Sequence, residues 1–260
     1  MTIWWLSYPL LGVFAGFVAG LFGVGGGLTI VPLLLMLLTA QACPVEHSMH
    51  LALGTSMATI VFTSIASMRA HHRHGAVRWD IVKSFAPGLV LGTLSGSFIA
   101  TWVPTRPLAM VFTAIVYYAA LQMALDFKPK PHRQLPGTPC MVITGTLFGV
   151  VSSLVAAGGG FLTIPFMVFC NVVIHHAVGT SAALGFPIAV AGTVGYILSG
   201  LKTSGLPDFS LGYVYLPAFV GVVAVSFLTA PVGARLAHKL PVKQLKRAFG
   251  GFLAQLDIKM

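Results

Sequence analysis

The chain reads as an all-α polytopic membrane protein made of two inverted repeats, each a glycine-broken re-entrant or hairpin segment plus three transmembrane helices. Three observations predict it. Of 260 residues, 57% are apolar and only 8% charged, with mean hydropathy +0.91, whereas a water-soluble domain carries about 25% charged residues. Apolar blocks long enough to cross a bilayer, about 20 residues each, recur along the whole chain. Three shorter blocks occur twice in the same order. The composition excludes disorder, coiled coil, collagen and a disulfide-stapled fold.

The first apolar block, 4–40, is too long for one helix and is interrupted by Gly25, Gly26 and Gly27. The second, 50–68, opens on His50 and carries Gly54-Thr55-Ser56; 84–103 and 107–125 complete the first repeat, 1–126. A polar, proline-containing linker, 127–137, follows. The second repeat, 138–260, begins with the long block 138–170, broken by Gly158, Gly159 and Gly160, and continues through 177–198, 211–234 and a short block at 247–256.

The repeat is carried by Gly25 to Pro32 against Gly158 to Pro165, by His50 to Ser56 against His175 to Ser181, and by Val103-Pro104 against Leu240-Pro241. Twelve of the fifteen Lys and Arg residues fall in three stretches, 69–83, 127–136 and 235–247. Positive loops stay cytoplasmic, so all three belong on one face and nucleic-acid binding is discounted. Keeping 127–136 and 235–247 on the same side needs an even number of crossings between them, yet three full apolar blocks lie there. A fold-back at the second glycine triad repairs the parity. Each repeat then crosses an odd number of times and its successor is upside down, as in many secondary transporters. The N-terminal segment lacks the charged start and cleavage site of a signal peptide and is expected to be retained. Cys43, Cys140 and Cys170 show no pairing or metal pattern.

Binding sites in such folds lie near the midplane, where broken segments of the two repeats meet. Consecutive glycines free the backbone, and a helix restarting after them presents unpaired N–H groups and a positive dipole end. The triads, with Thr29 and Thr163 behind them, are therefore expected to form two opposed anion cradles; close helix packing is the alternative use of such glycines. Thr55, Ser56, Thr180 and Ser181 offer hydroxyl donors, although hydroxyls in helices also bond their own carbonyls. His50 and His175 are candidates for proton or substrate contact, or simply interfacial caps. Glu46, Asp80, Asp126, Asp208 and Asp257 lie in loops or near segment ends. No carboxylate stands at mid-membrane to hold a cation or relay protons. No nucleophile–base set, metal cluster or cofactor motif points to an enzyme.

The doubled order of glycine triad, aliphatic stretch, proline and Gly-Thr-Ser, in Gly25 to Ser56 and again in Gly158 to Ser181, resembles the TauE/SafE family, also called the toluene sulfonate uptake permease family. The resemblance implies a bacterial inner-membrane permease, most often an exporter, for a small sulfur-containing anion such as sulfite, thiosulfate or an organosulfonate. It implies no cofactor, with the lipid bilayer and the anion as partners and a homodimer as a further expectation. The alternative from another class is a non-transporting membrane scaffold or accessory subunit.

Overall fold

The computed structural model describes residues 2–22, 26–41, 43–124 and 134–237. Gly25, most of the linker, nearly all of the basic stretch 235–247 and the block at 247–256 lie outside the described residues, as do Asp126 and Asp257. In chain order the helices are α1 (Thr2–Phe22), α2 (Gly27–Ala40), α3 (Val45–Arg73), α4 (Trp79–Trp102), α5 (Thr105–Ala124), α6 (Thr138–Val155), α7 (Gly160–Phe169), α8 (Ile174–Gly200) and α9 (Leu216–Ala237), with a short antiparallel pair, β1 (Ser210–Leu211) and β2 (Val214–Tyr215), before α9. Among them α3, α4, α6 and α8 are long and apolar enough to cross a membrane.

Both long apolar blocks break at their glycines and turn back. The Gln41 side-chain amide, one residue beyond α2, donates to the Tyr8 hydroxyl near the start of α1. In the second copy Phe166 of α7 lies edge-on to Phe148 of α6, ring centroids 5.6 Å apart, and stacks on Phe85 of α4. Residues on either side of each break are thus neighbours, as a hairpin requires. At about 1.5 Å per residue, α2 with 14 residues and α7 with 10 are too short to span about 30 Å of hydrocarbon alone.

Two parallel helix pairs tie the copies together through glycine. On α4, Gly88, Gly92 and Gly96 face Val142, Thr146 and Val150 of α6, so close that an added Cβ at Gly92 would stand 2.0 Å from the Thr146 carbonyl oxygen. Gly12 and Gly16 of α1 meet Val222 and Ser226 of α9 in the same way. Residue numbers rise together along both contacts, so each pair runs parallel. Without a hydrophobic drive between helices in lipid, such small-residue seams supply the packing.

The element at the centre is α3, which packs on α2, α5, α8 and α9. It buries seven hydroxyl residues along its length: Ser48, Thr55, Ser56, Thr59, Thr63, Ser64 and Ser67. Several return their proton to a carbonyl three or four residues back, as Thr59 does to Thr55 and Ser64 to Val61, the usual way to settle a hydroxyl in a helix.

Some expected boundaries move. The block expected at 211–234 starts with the hairpin rather than a helix. Gly212, at φ +54, turns the chain against the Ile197 carbonyl, and Tyr213 and Val214 bury their side chains in the protein instead of in lipid. Helices α3 and α8 overrun the apolar blocks that predicted them, because their polar ends, with His71, His72 and Arg73 in the last turn of α3, continue the helix beyond the apolar stretch.

Candidate functional site

The two glycine breaks have nearly the same backbone. Gly26 caps α2 at φ 75, ψ −8, and Gly159 caps α7 at φ 77, ψ −9, a left-handed conformation natural to glycine. The threonines behind them are one position out of step, yet both hydroxyls donate to the same carbonyl: Thr29 to Gly26 at 2.7 Å and Thr163 to Gly159 at 3.0 Å. Of the triads, Gly26, Gly27, Gly158, Gly159 and Gly160 are described, and all are buried.

The structure brings the breaks together. A Cβ on Gly27 would lie 1.6 Å from the carbonyl oxygen of Ala156, two residues before the second triad, and 2.9 Å from Ile60 Cδ1. Ala156 is itself left-handed, at φ 46, and ends α6 with its amide bonded to the Ser152 carbonyl. The first break is therefore packed against the approach to the second.

The second break is the polar one. Thr163 Oγ1 also lies 2.9 Å from the Ser181 hydroxyl, which can donate to it, tying α7 to α8. Ser152 Oγ is buried with no hydrogen-bond partner, and it lies 3.7 Å from where a Gly159 Cβ would project. A buried hydroxyl left unpaired costs about 1–3 kcal/mol. At Gly185 of α8 a Cβ would reach only ordinary contact, 3.4 Å from the Gly158 carbonyl and 3.7 Å from Ser64 Cβ, leaving space beside the triad. The first amides of α7, on Gly160 and Phe161, have no acceptor within their helix. Amide donors and an unpaired hydroxyl thus share one buried spot, with room for a methyl group at Gly185 and no acidic side chain, an arrangement suited to a small anion.

Other expected site residues lie elsewhere. Thr55 Oγ1 accepts the Tyr215 amide at 2.9 Å, and Thr180 Oγ1 accepts the Arg78 amide at 3.0 Å. Each threonine thus fastens the backbone just before a helix of the other copy, with Gly54 against the Tyr213 carbonyl and Gly179 against that of Ala76. Ser56 Oγ is buried and without a partner. His50 is buried and His175 exposed, so the repeat equates two histidines that the fold treats differently. Outside the membrane-spanning helices, burial pushes the Cys43 thiol up, and burial followed by Cys43 and Asp208 does the same for the Tyr215 phenol. Both stay neutral near pH 7 and add no negative charge there.

Sequence reasoning passed over Ser152, Ser64 and Gly185. The available signal was a difference between the copies: Ser152-Ser153 precedes the second triad where Ala19-Gly20 precedes the first.

Comparison with known proteins agrees on the class. The family model described as Sulfite exporter TauE/SafE matches residues 8–260. A “Probable membrane transporter protein” of Haemophilus influenzae is 41% identical over 253 residues, covering 96% of each chain. The “Probable membrane transporter protein YdhB” of Bacillus subtilis is 28% identical over 92% of this chain and 91% of its own. A similarly named protein of Methanocaldococcus jannaschii is 24% identical over 98% and 96%. No solved structure matches the chain. From residue 8 to its end the chain belongs to the TauE/SafE family, a family of membrane transporters and not of enzymes.

Proposed function

We propose that the protein exports a small sulfur-containing anion, such as sulfite, thiosulfate or an organosulfonate, across the bacterial inner membrane by alternating access around the second glycine break. One observation carries the reading: the unpaired Ser152 hydroxyl buried beside the start of α7, with the Thr163–Ser181 pair behind it. The substrate class follows the family description, Sulfite exporter. Gly158 to Phe161 supply amide donors, Ser152 a hydroxyl, and Gly185 and Ser64 the space. The first break, with Gly26, Gly27 and Thr29, is the packed counterpart against which the second moves.

The inverted arrangement is supported by helix directions. His50 near the start of α3 bonds the carbonyls of Ala100 and Val103 at the end of α4, at 3.1 and 3.2 Å. Residue 41, at the start of α1 through Tyr8, leads into that same end of α3. Because α6 runs parallel to α4, it runs opposite to α1. That order supports a common face for the basic stretches 69–83, 127–136 and 235–247, cytoplasmic by their charge. An anion leaving the cytoplasm is then helped by an inside-negative potential, about 2.3 kcal/mol per charge per 100 mV.

The test is flux from proteoliposomes loaded with sulfite, thiosulfate or sulfoacetate. Efflux of at least one above protein-free vesicles is expected, reduced by Ser152→Ala. No flux of any of the three favours a non-transporting scaffold or accessory subunit.

A further inference from the structure

A cavity of about 580 Å³ opens where α3 and α5 begin and α4 ends, at the end of α3 away from the basic stretch 69–83. Its wall includes Glu46, His47, His50, Trp102, Arg106 and Tyr213. His50 is 3% exposed. Its Nε2 lies 3.1 Å from the Ala100 carbonyl oxygen and 3.2 Å from that of Val103. Both are acceptors only, so Nε2 carries the ring proton and Nδ1 keeps its lone pair. That Nδ1 is buried and has no partner, while the ring packs on Tyr213, centroids 5.1 Å apart.

The groups facing this imidazole leave its Nδ1 without a hydrogen-bond partner. The Tyr213 hydroxyl lies 3.1 Å from that of Thr203, and either can be the donor. Glu46 and His47 share its helix, and Arg106 stands on α5. The ion pair recorded among the described residues joins Arg78 to Asp80 and leaves Glu46 and Arg106 unpaired with each other. A proton on Nδ1 would make a buried cation, which needs an anion beside it. An anion entering beside Arg106 supplies that partner, and the proton that arrives with it offsets one of its negative charges.

We propose that this vestibule binds a small oxyanion together with one proton, the anion beside the Arg106 guanidinium and the proton on Nδ1 of His50. The proton comes from bulk water, and the bond formed is the Nδ1–H bond. The proposal rests on the anion reading above but not on the site at the second break. The copies differ here as well: His175, the counterpart of His50, is exposed, and the neighbouring His176 has its Nδ1 engaged with the Ala76 carbonyl at 3.3 Å.

The experiment is calorimetric titration of the detergent-purified full chain with sodium thiosulfate, which does not itself ionise between pH 5 and 8, in buffers of different ionisation enthalpy. Wild type takes up about one proton per anion, and its affinity falls about 10-fold per pH unit where His50 is neutral when free, as one linked proton requires. His50→Gln retains an N–H for the two carbonyls and abolishes both the uptake and the pH dependence. Arg106→Gln, on an exposed residue, weakens binding at least 10-fold. Unchanged proton uptake in His50→Gln, or unchanged affinity in Arg106→Gln, overturns the proposal. Thiosulfate binding without proton uptake in wild type overturns it and leaves the anion reading in place. Absence of thiosulfate binding overturns it too, and the sulfite and sulfoacetate fluxes then decide the anion reading separately.

Discussion

The two glycine breaks begin from one backbone and end in different surroundings. Gly26 and Gly159 take the same left-handed turn and receive a threonine hydroxyl on the same carbonyl. Around the second stand Ser152, Ser153, Thr163 and Ser181; at the corresponding places of the first the sequence has Ala19, Gly20, Ile30 and Ser56. Opposite the first break Ile60 reaches Gly27, while Gly185, its counterpart in the repeat, leaves room beside Gly158. Duplication preserved the main-chain geometry, which depends on glycine. The side chains diverged, so that an added methyl would clash at Gly27 but meet only ordinary contact at Gly185.

The strongest way to break this comparison is at Gly27. Gly27→Ala places a methyl 1.6 Å from the Ala156 carbonyl oxygen, and overpacking against backbone costs about 1–3 kcal/mol or more. A large drop in the melting temperature of the purified protein is expected. Gly185→Ala meets only ordinary contacts and, inside a helix, leaves stability equal or raises it by up to about 1 kcal/mol, yet it fills the proposed site and lowers flux. Equal melting temperatures for the two variants would erase the distinction.

Next in size is the contrast between two unpaired serines. Losing a hydrogen bond to a charged partner costs about 1.5–3 kcal/mol, so Ser152→Ala raises the half-saturating anion concentration in flux assays by about 10-fold or more. Because it also removes an unpaired buried hydroxyl, it leaves stability equal or higher. Ser56→Ala leaves half-saturation where it was. A smaller and symmetric effect is expected from Thr55→Val and Thr180→Val, each losing one backbone partner for about 1 kcal/mol; chemical unfolding that weakens only one of them would show the fastening to be unequal. Smallest is Ile30→Thr, which places a hydroxyl where Thr163 stands in the other copy. It gives Ser56 a partner worth about 1 kcal/mol, which offsets the packing lost from the fully buried Ile30, about 0.5–1.5 kcal/mol, so the melting temperature changes little.

Much of this fold could be read from the chain, because the features that specify it are local and doubled. The triads mark the two breaks, and the His50 to Ser56 block lands on a buried helix as its repeat does. The glycine seams were passed over: Gly88, Gly92 and Gly96 recur at intervals of four, but no spacing names their partners on α6, or those of Gly12 and Gly16 on α9. Thr55 and Thr180 show the limit for the site. Their repetition looked like substrate chemistry, yet each hydroxyl accepts an amide from the other copy, a contact over 160 and 102 residues. Conversely Ser152 repeats nothing, and a search for symmetry passes over the asymmetric residue that the geometry singles out.

The parallel seams have a consequence for biogenesis. Gly12 and Gly16 on α1 rest against Val222 and Ser226 on α9, so α1 finds its neighbour only after some two hundred further residues have been made. Until then its notched surface faces lipid or a translocase component. Neither half can close on itself, and a chain cut short before α9 would strand its own beginning.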